Sequence, residues 1–170
     1  MRKMMIGWGI LLMIALVLPA MAVPLEPQMF TKVTGGGWYE SYEGIKWTKA
    51  FTARMDSSGT MKGEWEAQSP APGPGTWHAE VTYVETGIFT SGSKAGKIGA
   101  LVVGTVTSAD DPSMIGDTEC MLLVDNGQGK NAEPDQIMGG YNGDGDYCYT
   151  LYTFNAAPWR DFQGNIQITI

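Results

Sequence analysis

The sequence predicts an all-β fold, an antiparallel β-sandwich with a closed β-barrel as the alternative. Three observations predict it. Past residue 23, no stretch places apolar residues at helical spacing over three turns. About eight to ten short segments alternate apolar and polar residues instead. Turns rich in Gly and Pro separate them. The sandwich is preferred because the segments are short and unequal, whereas a barrel needs consistent strand length and shear.

The elements follow in order. Residues 23–34 carry Pro24 and Pro27 and lead into a first strand near Phe30 to Val33. Gly35, Gly36 and Gly37 then indicate a turn, or a close backbone approach beside a packed Trp38. From Trp47 to Met55 the odd positions are inward, and the alternation breaks mainly at Lys49. Asp56-Ser57-Ser58-Gly59 is hairpin chemistry. The return strand sets Met61, Gly63, Trp65 and Ala67 against Lys62, Glu64, Glu66 and Gln68. Ser69 to Gly75 is a loop, since its three prolines lack the N–H a ladder needs. Trp77, Ala79, Val81 and Tyr83 alternate inward. Lys97 to Thr107 is apolar on both faces, the pattern of a strand covered on both sides. Strands are expected at Glu119–Val124 and Tyr147–Phe154. The last, Ile166, Ile168 and Ile170 against Asn165, Gln167 and Thr169, is expected to pair inside a sheet.

The N-terminus has the form of a signal peptide spanning residues 1–22. Arg2 and Lys3 precede an apolar run from Met4 to Leu18, and Ala20-Met21-Ala22 is a cleavage pattern. Residues 23–170 then form one all-β domain. No later segment is apolar enough to span a membrane. Without Arg2 and Lys3 the chain has 9 basic and 18 acidic residues. That balance excludes nucleic acid and anionic lipid as natural partners, because phosphate binding needs a basic surface.

Cys120 and Cys148 are the only cysteines. In an exported chain they imply one disulfide, worth about 3–4 kcal/mol in the chain-entropy model. They bracket the densest acidic stretch. Asn142, Asp144 and Asp146 have the alternate spacing of a calcium loop, and Asp125 and Asp135 could complete an oxygen shell. Tyr147 and Thr153 stand where an EF-hand has glycine and glutamate, so the loop is not an EF-hand, and a solvated Asx-rich turn explains the same residues. Calcium (Ca2+) is the only cofactor the residues suggest.

Lys32 to Trp38, Gly104-Thr105-Val106, Val124-Asp125-Asn126-Gly127 and Gly164 to Ile168 together resemble the post-COAP domain. This is a family of small secreted β domains of archaea and bacteria. The resemblance covers nearly all of residues 23–170 and rests on glycine-turn and strand-end motifs. It implies an all-β extracellular module and no established activity. The cysteine pair and the longer, more acidic loop between Asp125 and Asp146 depart from the pattern.

No GxSxG motif and no free cysteine nucleophile is present. A carboxylate-dependent hydrolase would need two of Glu64, Glu66, Glu80 or Asp161 to converge with His78 in a concave site. Trp47, Trp65 and Trp77 lie on inward phases and read as core. Trp38 and Trp159 fall outside that phase, so they are the candidates for stacking on a sugar ring. The expected function is therefore non-catalytic: binding or structural work outside the cell, with an extracellular polysaccharide or a surface protein as partner.

Overall fold

The computed structural model describes residues 30–71, 73–89, 92–129, 131–141 and 159–170, except the side chains of Gly92, Gly140 and Tyr141. The signal-peptide segment 1–22, the strand expected at Tyr147–Phe154, and Cys148, Asn142, Asp144 and Asp146 lie outside them. Among the described residues no helix is long and apolar enough to cross a membrane.

Nine strands are described: β1 (Thr31–Glu40), β2 (Lys46–Met55), β3 (Met61–Gln68), β4 (Thr76–Ile88), β5 (Ile98–Ala109), β6 (Thr118–Asp125), β7 (Gln136–Tyr141), β8 (Arg160–Asp161) and β9 (Gln163–Thr169). All pair antiparallel in a single sheet of order β8-β7-β6-β5-β4-β3-β2-β1-β9. The all-β antiparallel expectation therefore holds, and the architecture is a single, nearly closed barrel-like sheet, nearer the barrel alternative than two packed sheets. The strands are longer than the sequence suggested. β4 has 13 residues and β5 has 12. Register shifts in the β4–β5 pairing between His78 and Ala79 and between Val81 and Tyr83 help the sheet curl. The second shift also turns Tyr83 out and Val84 in, against the simple alternation.

One face of the sheet fills the interior. Val33, Phe51, Trp65, Ala79, Val102, Met121, Leu123, Ile137, Phe162 and Ile166 belong to one buried cluster. β5 and β6 are apolar on both faces, as expected for β5. Leu101, Cys120, Leu122 and Met138 form a second buried cluster, packed by Tyr83, Val103 and Trp159. Cys120 is thus completely buried. Its disulfide to Cys148 stays an expectation from the sequence.

The three glycines of β1 are inside the strand and do not make a turn; β1 runs through them to Glu40. Their role is close approach. Gly37 pairs with Gly164 of β9, and a Cβ on Gly37 would lie 2.7 Å from the Gly164 Cα. β1 is thereby hydrogen-bonded on both sides, to β2 and to β9.

Only Phe162 separates β8, which pairs with β7, from β9, which pairs with β1. This short segment joins the two borders of the sheet. Phe162 N–H donates to the Asp135 carbonyl at 2.7 Å. Beyond it, carboxylates stand in for a strand. Asp135 Oδ2 accepts from Ile166 N–H at 2.7 Å, and Asp125 Oδ2 accepts from Ile168 N–H at 3.1 Å. Asp135 Oδ1 also takes the Asn126 N–H at 2.9 Å. Burial holds the Asp135 carboxyl above the usual range, against the pull of these two amide donors.

An Asp135→Ala variant leaves two backbone amides without an acceptor. A buried unsatisfied group costs about 1–3 kcal/mol, so the variant is expected to lose about 2–4 kcal/mol by urea unfolding. Hydrogen exchange at Ile166 should accelerate beyond what that global loss explains. Unchanged protection at Ile166 relative to the rest of β9 would refute the seam's dependence on this carboxylate.

Candidate functional site

The end of the barrel formed by the β1–β2, β3–β4 and β5–β6 connections holds a cavity of about 550 Å³. Its walls are Trp47, Trp77, Met114 and Met138, with Tyr39 and Glu119 deeper and Tyr42, Asp111, Ser113 and Arg160 toward the rim. Alternation explains the placement. Tyr39, Trp47, Trp77 and Glu119 all take the inward phase near the same end of their strands. The two indoles meet edge to face, with centroids 5.1 Å apart and planes at 79°.

Two charges are buried beneath these rings. Lys49 is 1% exposed and Glu119 is 2% exposed. Lys49 Nζ donates to Glu119 Oε1. The Trp65 indole N–H donates to Glu119 Oε2 at 2.9 Å, and the Trp77 indole N–H donates to the same oxygen. Both carboxylate oxygens are therefore engaged, which offsets the desolvation cost of the charge. Burial alone pushes the Lys49 ammonium down; Glu119's charge and hydrogen bond, with Tyr39 alongside, outweigh it and hold Lys49 above its ordinary 10.5. Burial, foremost, also raises Tyr39 above its ordinary 10.0. Tyr39 is 7% exposed, and among the described residues its hydroxyl has no hydrogen-bond partner. A Cβ at Gly139 would lie 2.7 Å from that hydroxyl and 3.5 Å from Lys49 Nζ, so glycine in β7 leaves the space they use.

At the rim, the Asp111 carboxylate accepts from Ser113 N at 3.0 Å and from Ser113 Oγ at 2.7 Å, capping the short 3-10 turn Pro112–Met114. These bonds hold its carboxyl below the usual range. The Arg160 guanidinium lies over the Tyr42 ring, 3.2 Å from its centroid. Among the described residues it has no carboxylate partner, and its Nη2 makes no hydrogen bond.

The residues singled out from sequence lie elsewhere. Asp125 and Asp135 serve the β9 seam, and the other three proposed calcium ligands are outside the described residues. Trp38 is on the outer face of β1, with Lys46 Nζ 4.3 Å from its ring centroid. Trp159 packs edge to face on Phe89 at 5.8 Å, in the second apolar cluster. Neither lines the cavity. Glu64 pairs with Glu80, and Glu66 with His78, on the outer face of β3 and β4. The structure does bring these four together, in the lining of a second depression of about 550 Å³. His78 Nδ1 and Glu66 Oε2 are 3.7 Å apart and half-exposed, a pair of little energetic weight. Asp161 is apart from them, accepting from Gln136 Nε2 at 2.9 Å.

Sequence reading missed Lys49, Glu119, Tyr39 and Arg160. A signal for the first two was present: a lysine on the inward phase of β2 and a glutamate opening an apolar strand are opposite charges in need of a partner. No family model, curated protein or solved structure matches the chain.

Removing one member of a buried pair costs about 3–5 kcal/mol, whereas replacing both can be nearly neutral. Lys49→Met is expected to lose that amount by urea unfolding, and adding Glu119→Gln to regain most of it. A double variant as unstable as the single one would contradict the pairing. The sign in alkali follows from the raised values of Lys49 and Tyr39. The unfolded chain loses these protons first, so it binds fewer protons and stability falls as pH climbs past 10.0 and 10.5. Urea midpoints from pH 8 to 11 should fall more steeply for the wild type than for the double variant; parallel curves would remove Lys49 from the account.

Proposed function

We propose that this chain is a secreted, non-catalytic β-barrel module that binds a small, largely apolar ligand in the cavity at one end. The observation that carries the reading is an aromatic-walled cavity of about 550 Å³ over a charge pair whose acceptors are already engaged. Ligand sites are commonly concave and mostly apolar with a few placed polar groups, and the mouth of a β-barrel is a frequent location. Glu119 is a poor general base in this setting. Three donors engage its oxygens, and any proton it took would break the ion pair with Lys49.

The signal-like N-terminus supports an extracellular setting, as does the resemblance to the post-COAP domain. A polysaccharide partner has less support. Of the two rings considered for stacking, Trp159 is engaged with Phe89 and the apolar cluster. A hydrolase has less support too: Glu64, Glu66, Glu80 and His78 do line one depression, but His78 and Glu66 are half-exposed and Asp161 is bonded elsewhere.

The test is a fluorescence titration with the neutral probe N-phenyl-1-naphthylamine. Saturable, single-site enhancement is expected. Trp47→Ala removes one wall and should weaken binding about tenfold, as loss of a large apolar contact implies. Trp38→Ala, on the outer face, should leave binding unchanged. Absence of saturable binding, or equal losses in the two variants, would sink the reading.

A further inference from the structure

Among the cavity's acids, Glu119 has both oxygens engaged by Lys49, Trp65 and Trp77, while Asp111, exposed, accepts both Ser113 bonds on Oδ1. The cavity also holds two spare donors. Tyr39 is more than nine-tenths buried as a residue and lines the cavity, and among the described residues its hydroxyl makes no hydrogen bond. Burial holds its proton on, so it faces the cavity as a neutral O–H donor. The Arg160 guanidinium lines the same cavity and among the described residues has no carboxylate partner; it lies over the Tyr42 ring, and its buried Nη2 makes no hydrogen bond. An unmet buried donor is costly, and an anionic oxygen is the strongest acceptor available to satisfy it.

We propose that the ligand is a ring-bearing organic monoanion. Its apolar body lies against Trp47 and Trp77, and its carboxylate or sulfonate meets the Tyr39 hydroxyl and the Arg160 guanidinium. This rests on the binding reading above and adds the charge of the ligand to it. The chain's net charge of −7 does not oppose it at close range. Charges beyond about 8–10 Å are largely screened at physiological salt, whereas a guanidinium lining a partly enclosed cavity is screened far less.

Two probes with the same ring system separate the claims. N-phenyl-1-naphthylamine is neutral, and 1-anilinonaphthalene-8-sulfonate carries one sulfonate. For the wild-type chain, the sulfonate probe should bind at least about tenfold more tightly, the ratio expected of one charge-assisted hydrogen bond. Arg160→Met should abolish most of that advantage, read as the ratio of the two probes' affinities. Tyr39→Phe, which keeps the ring, should reduce the advantage several-fold. Unfolding midpoints of both variants near the wild-type value establish that they are folded. If the neutral probe binds but the sulfonate has no advantage, or if Arg160→Met weakens both probes alike, the anion is wrong and the binding reading survives. If neither probe binds the wild type, both fall.

Discussion

The carboxylate of Glu119 is the interaction on which the rest of the structure depends. It sits on β6 and takes hydrogen bonds from Lys49 on β2, Trp65 on β3 and Trp77 on β4. These partners are 70, 54 and 42 residues away in the chain. Backbone pairing joins each strand only to its neighbours. This side chain instead reaches across the barrel and fixes the distance between its walls. A buried charge tolerates few geometries, because every engaged oxygen must keep its donor or bear the full desolvation cost. The same constraint orients the Trp77 indole, and through it the edge-to-face contact with Trp47 that forms the cavity wall.

Closure of the barrel is the second constraint, and it is met by unequal means on the two sides of β9. Toward β1 the backbones approach through Gly37 and Gly164, and the ladder is regular. On the other side, Asp125 and Asp135 accept the β9 amides where no strand does. A carboxylate is a stronger acceptor than a carbonyl, and it works from a loop without demanding strand register. Open sheet edges invite pairing with other chains; here an edge is concealed by two side chains.

The seam and the charge pair together locate the site. The apolar cluster fills the barrel interior, and the aromatic-walled cavity lies at one end. Lys49 and Glu119 mark the depth at which apolar filling stops at one end, and the rings above them make the wall. A fully apolar floor would pack closed; a satisfied ion pair with an unmet phenol beside it leaves room and a direction for hydrogen bonding.

Much of this was legible in the residues. Period-2 alternation placed Trp65 and Trp77 inward, identified the Asp56–Gly59 hairpin, and showed β5 covered on both faces. Those signals are local, and side-chain alternation is a property of a strand on its own. Lys49 was visible as a break in the pattern, but not its meaning, since its partner is 70 residues away. Asp125 and Asp135 looked like cation ligands because a carboxylate has the same sequence signature whether it binds a metal or a backbone amide. β7 was passed over as loop, as its glycines hide the alternation. The sequence by itself determined the all-β class, the inward faces and the acidic surface, because these follow from each strand's own pattern. Only the tertiary structure decided between sandwich and barrel, joined Lys49 to Glu119, and opened the cavity above them, because each depends on which distant strands become neighbours.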